Sequence, residues 1–379
     1  MTETTRPVEC SAATVYLALE LGSTKWTLAF AHAARRTPRL RTIPAGDMGR
    51  LRAEITQAAV SFGGPPDTPV QSCYEAGRDG FWLHRWLTQA GVANCVVDSS
   101  SIEVNRRHRR AKTDRLDATK LVILLQRWAS GERGVWSVVQ VPTPEEEAAR
   151  QLPRELTTVQ ADRTRVRNRI GALLVGQGVR VAITARLSAQ LATLATGDGR
   201  PLPAPVQARL ARECEHLATI EARLTDLRAQ RASQLREATD RVAEVARRLC
   251  QVRGVAEASA ALFSAELFGT RTFANGRQLG ALVGLVPVPY RSDQRVADQG
   301  ISKAGRAEVR RVSLQVAWGW LRWQPTSDLT RWFQQRFGGA GGRSRRIGIV
   351  AVARKLLIAL WRFVTQGVVP AGAQLKPAA

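Results

Sequence analysis

Two aspartates three residues apart, Asp114 and Asp117, follow a run of cations (Arg106, Arg107, Arg109, Arg110 and Lys112) and open an apolar helical stretch. Positions i and i+3 of a helix share a face, so the two carboxylates stand together on its first turn. Like charges at that spacing repel. A hard cation such as Mg²⁺ turns the repulsion into a binding site, and the basic run beside it offers a grip on phosphate. The same residues have plainer readings: acidic charge at a helix N-terminus with Thr113 as its cap, and a solvated basic face.

Two more acids sit where apolar strands end. Glu20 closes Leu17-Ala18-Leu19 and Glu75 closes Ser72-Cys73-Tyr74. A carboxylate in an apolar strand is costly unless paired or metal-bound; the alternatives are an edge strand with Glu20 facing water and a strand-end or cap carboxylate at Glu75. The elements that would position all four are legible. Strands are expected at 15–21 and 25–31 across the turn Gly22-Ser23-Thr24, with a weaker third at 39–44. A helix over 48–62 stops at Gly63-Gly64-Pro65-Pro66. A strand at 70–75, a helix at 79–89, a strand at 94–98 and a helix at 113–129 follow. Three antiparallel strands and then alternating helices and strands is the order of an α/β RNase H-like (RuvC-like) domain, here residues 14–135. That order gathers these strand ends and the helix start on one side of the sheet. Four carboxylates could hold two Mg²⁺ ions, which stabilise the attacking and leaving oxygens of a phosphodiester displacement.

Residues 144–250 read as a helical, coiled-coil insertion of two antiparallel arms, 145–176 and 210–252, split by glycines and prolines at 197–205. The first arm carries Arg163, Arg165, Arg167 and Arg169. A mainly α-helical C-terminal domain, 251–367, is expected to contain helices at 256–268 and 276–284 and a proline-bearing loop at 286–300. A basic helix follows from Lys303 to Trp323, with Ser302 as its cap and Arg306, Arg310 and Arg311 near its start. A glycine-arginine link at 338–346 leads to a last helix at 347–364, and residues 368–379 read as a disordered tail. Trp318, Trp320 and Trp323 read as packing residues.

The balance of 56 Lys and Arg against 32 Asp and Glu leaves a net charge of +24. Such a charge points to a polyanionic partner, nucleic acid above all, and disfavours a small-molecule enzyme. The nucleic-acid-binding candidates are Arg106, Arg107, Arg109, Arg110, Lys112, Arg163, Arg167, Arg291, Arg295, Lys303, Arg306 and Arg310. Five scattered cysteines without a C-x-x-C argue against a disulfide framework or a zinc site. No apolar run is long enough to span a bilayer and no signal core opens the chain, so a cytoplasmic protein is expected.

Glu20, Glu75 and the motif Lys112-Thr113-Asp114-Arg115-Leu116-Asp117-Ala118 resemble the RuvC-like catalytic domain of the DEDD transposases, the insertion-sequence enzymes related to the Piv/MooV invertases (the "IS one-ten" family). The resemblance continues through Arg253-Gly254-Val255, Leu282-Val283-Gly284-Leu285-Val286-Pro287, Ser292 and Gly300-Ile301-Ser302-Lys303-Ala304-Gly305, spanning roughly residues 15 to 325. Two positions depart from it: the first acid is usually Asp where this chain has Glu20, and the serine is commonly followed by Gly where this chain has Asp293.

The resemblance implies a prokaryotic, nucleoid-associated DNA transposase that cuts and rejoins donor and target DNA. It implies Mg²⁺ at Glu20, Glu75, Asp114 and Asp117, two ions per site, with Ser292 as a nucleophile that attaches covalently to cleaved DNA. Arg291, Arg295 and Lys303 lie close enough in sequence to that serine to steady the phosphate. It further implies a structured guide RNA encoded by the element, and homodimers pairing into a homotetramer, with the acids and the serine supplied by different protomers. Three other readings compete. One is a RuvC-like structure-selective nuclease such as a junction resolvase, without a covalent intermediate. The others are a non-catalytic nucleic-acid-binding protein and an actin-like sugar kinase suggested by Leu19-Glu20-Leu21-Gly22-Ser23-Thr24-Lys25.

Overall fold

The structure is a computed structural model that describes residues 14–33, 35–102, 113–292, 295–339 and 341–377. The chain divides into two compact units between Val141 and Pro142.

The first unit is built on a five-stranded mixed sheet. Its elements are β1 (Val15–Leu21), β2 (Lys25–His32), β3 (Arg35–Pro44), α1 (Met48–Ser61), β4 (Val70–Glu75), α2 (Trp82–Gln89), β5 (Ala93–Val97) and α3 (Asp114–Ala129). The strand order is β3-β2-β1-β4-β5; β1 pairs antiparallel with β2 and parallel with β4, and β4 pairs parallel with β5. β1 is therefore the central strand, and the edge-strand reading of Glu20 is set aside. Side chains alternate across a strand, and the two faces of the sheet fill separate cores. Tyr16, Ala18, Cys73, Cys95 and Val97 pack against Ala118, Leu121, Val122 and Leu125 of α3. Val15, Leu17, Leu19, Val70 and Tyr74 pack with Leu51 and Ala58 of α1 and Leu83 and Leu87 of α2. At about 1.5–3 kcal/mol per fully buried aliphatic side chain, each face is a substantial core.

A polar chain lies inside the α2 face. The buried Ser72 hydroxyl donates to Asn94 Oδ1 at 2.8 Å, and Asn94 Nδ2 lies 2.8 Å from His84 Nδ1. With its oxygen already accepting, the Asn94 amide donates to the ring, so Nδ1 must be unprotonated. Burial, reinforced by Arg85, lowers the His84 pKa from its ordinary 6.5. A group whose folded pKa is depressed contributes full stability above its unfolded value and loses it as pH falls below that value. Wild type should therefore lose urea resistance as pH falls below about 6.5, and His84→Gln, which still accepts from Asn94 but does not titrate, should lose less. Equal losses in denaturation curves at pH 7.5 and 5.5 would refute this.

The second unit is helical apart from one hairpin. It contains α4 (Pro144–Ala148), α5 (Gln151–Gly176), α6 (Leu187–Gln190), α7 (Ala204–Glu237), α8 (Arg241–Cys250), α9 (Glu257–Phe263), α10 (Gly276–Val283), β6 (Pro287–Ser292), β7 (Arg295–Ile301), α11 (Ala307–Trp323), α12 (Asp328–Phe337) and α13 (Gly342–Gln366). α5 and α7 run antiparallel through a seam of Leu156, Val159, Val166, Ile170 and Leu174 against Leu210, Leu217, Ile220, Leu224 and Leu227. Arg223–Glu155, Arg163–Glu221 and Arg169–Glu213 ion pairs flank the seam. Helices α8 to α13 surround Phe263, Phe268, Trp320, Leu357 and Leu360.

Several expectations change here. The second arm is two helices, not one, because Ala238 is extended and Asp240 caps α8 by accepting from Ala243 N at 2.9 Å. The segment expected as a loop is the β6–β7 hairpin; a two-stranded ribbon consists of edges, which tolerate Pro287 and Pro289. α12 was not foreseen, and α13 begins at Gly342, inside the expected link. Ser302 does not cap α11, whose N-cap is Arg306. Trp320 is buried, but Trp318 and Trp323 are 44% and 46% exposed. Residues 368–377, expected as a disordered tail, are tied down: Leu375 bridges to Val252, Lys376 N donates to Gln251 O, and Gln374 N donates to the buried Gln324 side chain.

Candidate active site

Glu20 and Glu75 are neighbours by construction. The parallel register pairs Leu19 with Tyr74, so the next residue on each strand stands beside the other, about one inter-strand spacing (~4.8 Å) away. Both have the parity of Ala18 and Cys73, the side of the sheet on which α3 packs. Both are partly buried and line one cavity of about 260 Å³ at the strand ends, together with Arg78, Asp79 and Ser99. Burial, then Cys95, then the Glu75 charge raise the Cys73 thiol pKa well above its ordinary value, which keeps this cysteine a neutral core group. Arg78 and Asp79 were missed in the sequence because they follow β4 in an irregular turn, where periodicity carries no signal.

Asp114 and Asp117 occupy the first turn of α3, the former exposed and the latter partly buried. Thr113 caps the helix, its hydroxyl oxygen accepting from Leu116 N at 3.3 Å. The cap reading is thus realised, and it leaves both carboxylates available. The acids form two pairs served by one face of the sheet. Among the described residues no three His, Cys, Asp or Glu side chains converge on a metal-sized site. All four are hard oxygen donors of the kind Mg²⁺ takes, so the donor chemistry fits that ion.

The basic candidates divide. Arg106, Arg107, Arg109, Arg110 and Lys112 lie outside the described residues. Four others are engaged within the fold. Arg163 pairs with Glu221 at 3.0 Å, Arg167 donates to Ile183 O at 3.0 Å, and Arg306 pairs with Glu266 and with Glu308. Arg310 donates to Val283 O at 3.1 Å and to Ala304 O at 2.9 Å. Their positive charge is spent first on holding helices together, a use that a charge run does not distinguish from ligand binding.

Ser292 ends β6, paired across the hairpin with Arg295, and Arg291 pairs with Val296. Two glycine-bearing motifs interlock to hold this hairpin. Ser302 N donates to Val286 O at 2.9 Å and Lys303 N to Gly284 O at 3.2 Å. Gly284 (φ 71°) and Gly305 (φ 66°) both adopt left-handed backbone, where a Cβ would also strike the Ala304 and Leu282 carbonyls respectively. Lys303, at φ 55°, takes the same conformation without being glycine. The Leu282–Pro287 and Gly300–Gly305 motifs, distant in sequence, are one structural joint.

The sequence model of the Transposase IS116/IS110/IS902 family matches residues 246–330, the stretch from α8 through this joint and α11. Over most of its length the chain is similar to a Sinorhizobium fredii (strain NBRC 101917 / NGR234) protein named as transposase y4rJ. The two are 38% identical over 379 aligned residues, covering 96% of this chain and 94% of the relative. The chain belongs to this transposase family. It is also 30% identical to the transposase for insertion sequence element IS1533 of Leptospira borgpetersenii, over 31% of this chain and 32% of the relative. To the transposase for insertion sequence element IS1328 of Yersinia enterocolitica it is 26% identical, over 60% and 66%. Membership in an insertion-sequence transposase family makes DNA the substrate and sets the sugar-kinase reading aside. No helix among the described residues is long and apolar enough to cross a membrane.

Proposed function

We propose that this transposase cuts and rejoins donor and target DNA with two chemical centres: the Glu20, Glu75, Asp114 and Asp117 carboxylates of an RNase H-like, DEDD-type domain, and the Ser292 hydroxyl. The side-by-side placement of Glu20 and Glu75 on the central parallel strands, facing α3, carries this reading. Mg²⁺ held by these acids would neutralise charge on the attacking and leaving oxygens of a phosphodiester. Glu20 and Glu75 supply ligands from the sheet, Asp114 and Asp117 supply them from the helix start, and Arg78 at the cavity wall is placed to meet a phosphate oxygen.

In the serine step, Ser292 Oγ attacks phosphorus and forms a new P–O bond as the bond to the deoxyribose oxygen breaks. The hydroxyl proton passes to that departing oxygen. One phosphodiester replaces another, so the linkage is conserved for rejoining. Following the family resemblance, we assign target choice to a structured guide RNA encoded by the element and the working form to a homodimer or homotetramer in the nucleoid.

The experiment is a suicide-substrate assay with nicked element-end DNA, guide RNA and Mg²⁺. Wild type should yield a protein–DNA adduct that survives denaturing gels, and Ser292→Ala should yield none and exchange no strands. Full recombination by Ser292→Ala would eliminate the serine step and favour the resolvase-like reading.

A further inference from the structure

The second unit contains a cleft of about 710 Å³ between α5, α7, α9 and α11. Its charged lining residues are Arg228, Arg231 and Arg311, with no Asp or Glu. Arg228 and Arg231 are one helical turn apart on α7, and Arg311 faces them from α11. Along α5 the lining is Thr157, Gln160 and Thr164 at helical spacing; the Thr157 hydroxyl donates to Pro153 O and to Glu308 and the Thr164 hydroxyl to Gln160 O, which leaves the exposed Gln160 amide as the group of α5 suited to phosphate or sugar. Arg231 is mostly buried, and its Nε has no hydrogen-bond partner; its nearest carboxylate, Glu257, is 3.9 Å from Nη2. A buried guanidinium N–H left unpaired is costly, and an anion entering the cleft would satisfy it.

The cleft opens onto a continuous stripe of α11. Arg311, Gln315, Trp318 and Arg322 recur at spacings of four, three and four residues, and all four are exposed. Such spacing puts them on one face. The Arg322 guanidinium also lies 5.3 Å from the Trp323 ring centre, and Trp323 is exposed as well. An uncovered tryptophan between arginines offers a base a stacking surface beside groups that hold its phosphates. Duplex nucleic acid hides its base faces and would leave Trp318 unused.

We propose that this cleft and the α11 stripe bind a single-stranded stretch of nucleic acid, phosphates against Arg228, Arg231 and Arg311 and a base on Trp318. The proposal rests on the transposase reading only in that such a protein handles nucleic acid, and it is independent of the carboxylates and of Ser292. Unpaired RNA and unpaired DNA share the required chemistry, and the test separates them.

Fluorescence anisotropy on the full chain would compare labelled single-stranded RNA, single-stranded DNA and duplex DNA of equal length across a salt series. The double variant Arg228→Glu/Arg311→Glu changes two exposed residues and spares the fold. It should weaken single-strand binding by at least about tenfold and reduce the slope of affinity against salt by about two contacts. Trp318→Ala should weaken it by about fivefold or more without changing that slope. The strand type that loses more identifies the natural occupant. The assay contains no Mg²⁺ and reads binding alone, so a failed cleavage mechanism leaves this result readable. Unchanged single-strand affinity in both surface variants overturns the proposal. An equal loss for duplex DNA together with no effect of Trp318→Ala overturns the single-strand assignment.

Discussion

Glu75→Gln should reduce DNA strand cleavage by at least about a thousandfold, a loss of several kcal/mol of the kind expected when a site that stabilises phosphoryl transfer loses a ligand. The substitution keeps the side chain's shape and exchanges one carboxylate oxygen for an amide nitrogen, which cannot ligate a hard cation. It also removes one of two like charges on adjacent strands at the same register, so folding should not suffer. The thermal midpoint should hold or rise slightly. Those opposite directions make the test decisive. A structural carboxylate would lose stability on amidation, whereas a ligand loses chemistry and relieves repulsion. The checks are cleavage of element-end DNA in Mg²⁺ and a thermal melt of the same preparation. Cleavage near the wild-type rate would sink the metal-site proposal and favour a protein that binds nucleic acid without cutting it. Asp117→Asn should behave alike if the two pairs serve one centre; loss in one variant only would show that they do not.

The sheet that positions Glu75 was legible because apolar runs of strand length alternate with amphipathic stretches, and glycine-proline breaks mark their ends. The pairing of Glu20 with Glu75 was only implicit, since register is a long-range property that strand content alone does not set. The β6–β7 hairpin was missed for a different reason. Prolines at 287 and 289 and a glycine at 300 are loop signals by local propensity, and nothing local records that a two-stranded ribbon accepts them. Arginine use was the least legible feature. Arg163, Arg167, Arg306 and Arg310 carry the same charge as Arg228 and Arg311, yet the first four meet carboxylates and carbonyls of this chain, and the last two line an open cleft. Composition shows the surplus of charge; only partners show where it is free to act.

A strong structural use of that charge converges on Glu266, and Glu266→Ala should cost about 3 kcal/mol, the low end of the range for breaking a buried ion pair, because the carboxylate is buried while its partners Arg154 and Arg306 are more than a third exposed. Its side chain is 3% exposed and lies in the irregular turn Ser264–Phe268, which has the wider hydrogen-bond spacing of a π-helix. Arg154 of α5 grips both carboxylate oxygens at 2.8 and 3.2 Å, and Arg306 at the start of α11 pairs with the same group. Arg150 is itself buried, donating to Ala265 O and Thr270 Oγ1 at 3.3 Å each. Burial pushes its pKa down from the ordinary arginine value, and the Glu266 charge is the main opposing influence. Removing Glu266 would leave Arg154 without its carboxylate, Arg306 with Glu308 alone, and the enclosed Arg150 without the main charge that offsets its burial. It would also untie the first arm from the helix that follows the Ser292 hairpin. The thermal midpoint should fall by roughly 10 °C for a unit of this size. Asp162→Asn, which breaks the exposed Arg165 pair on the same arm, should shift it by about 2 °C or less. If the two variants melt together, the buried network is not what holds the arm to the serine-bearing region. If Glu266→Ala melts early while Glu266→Gln recovers most of the loss, hydrogen-bonding shape rather than charge is the stabilising feature.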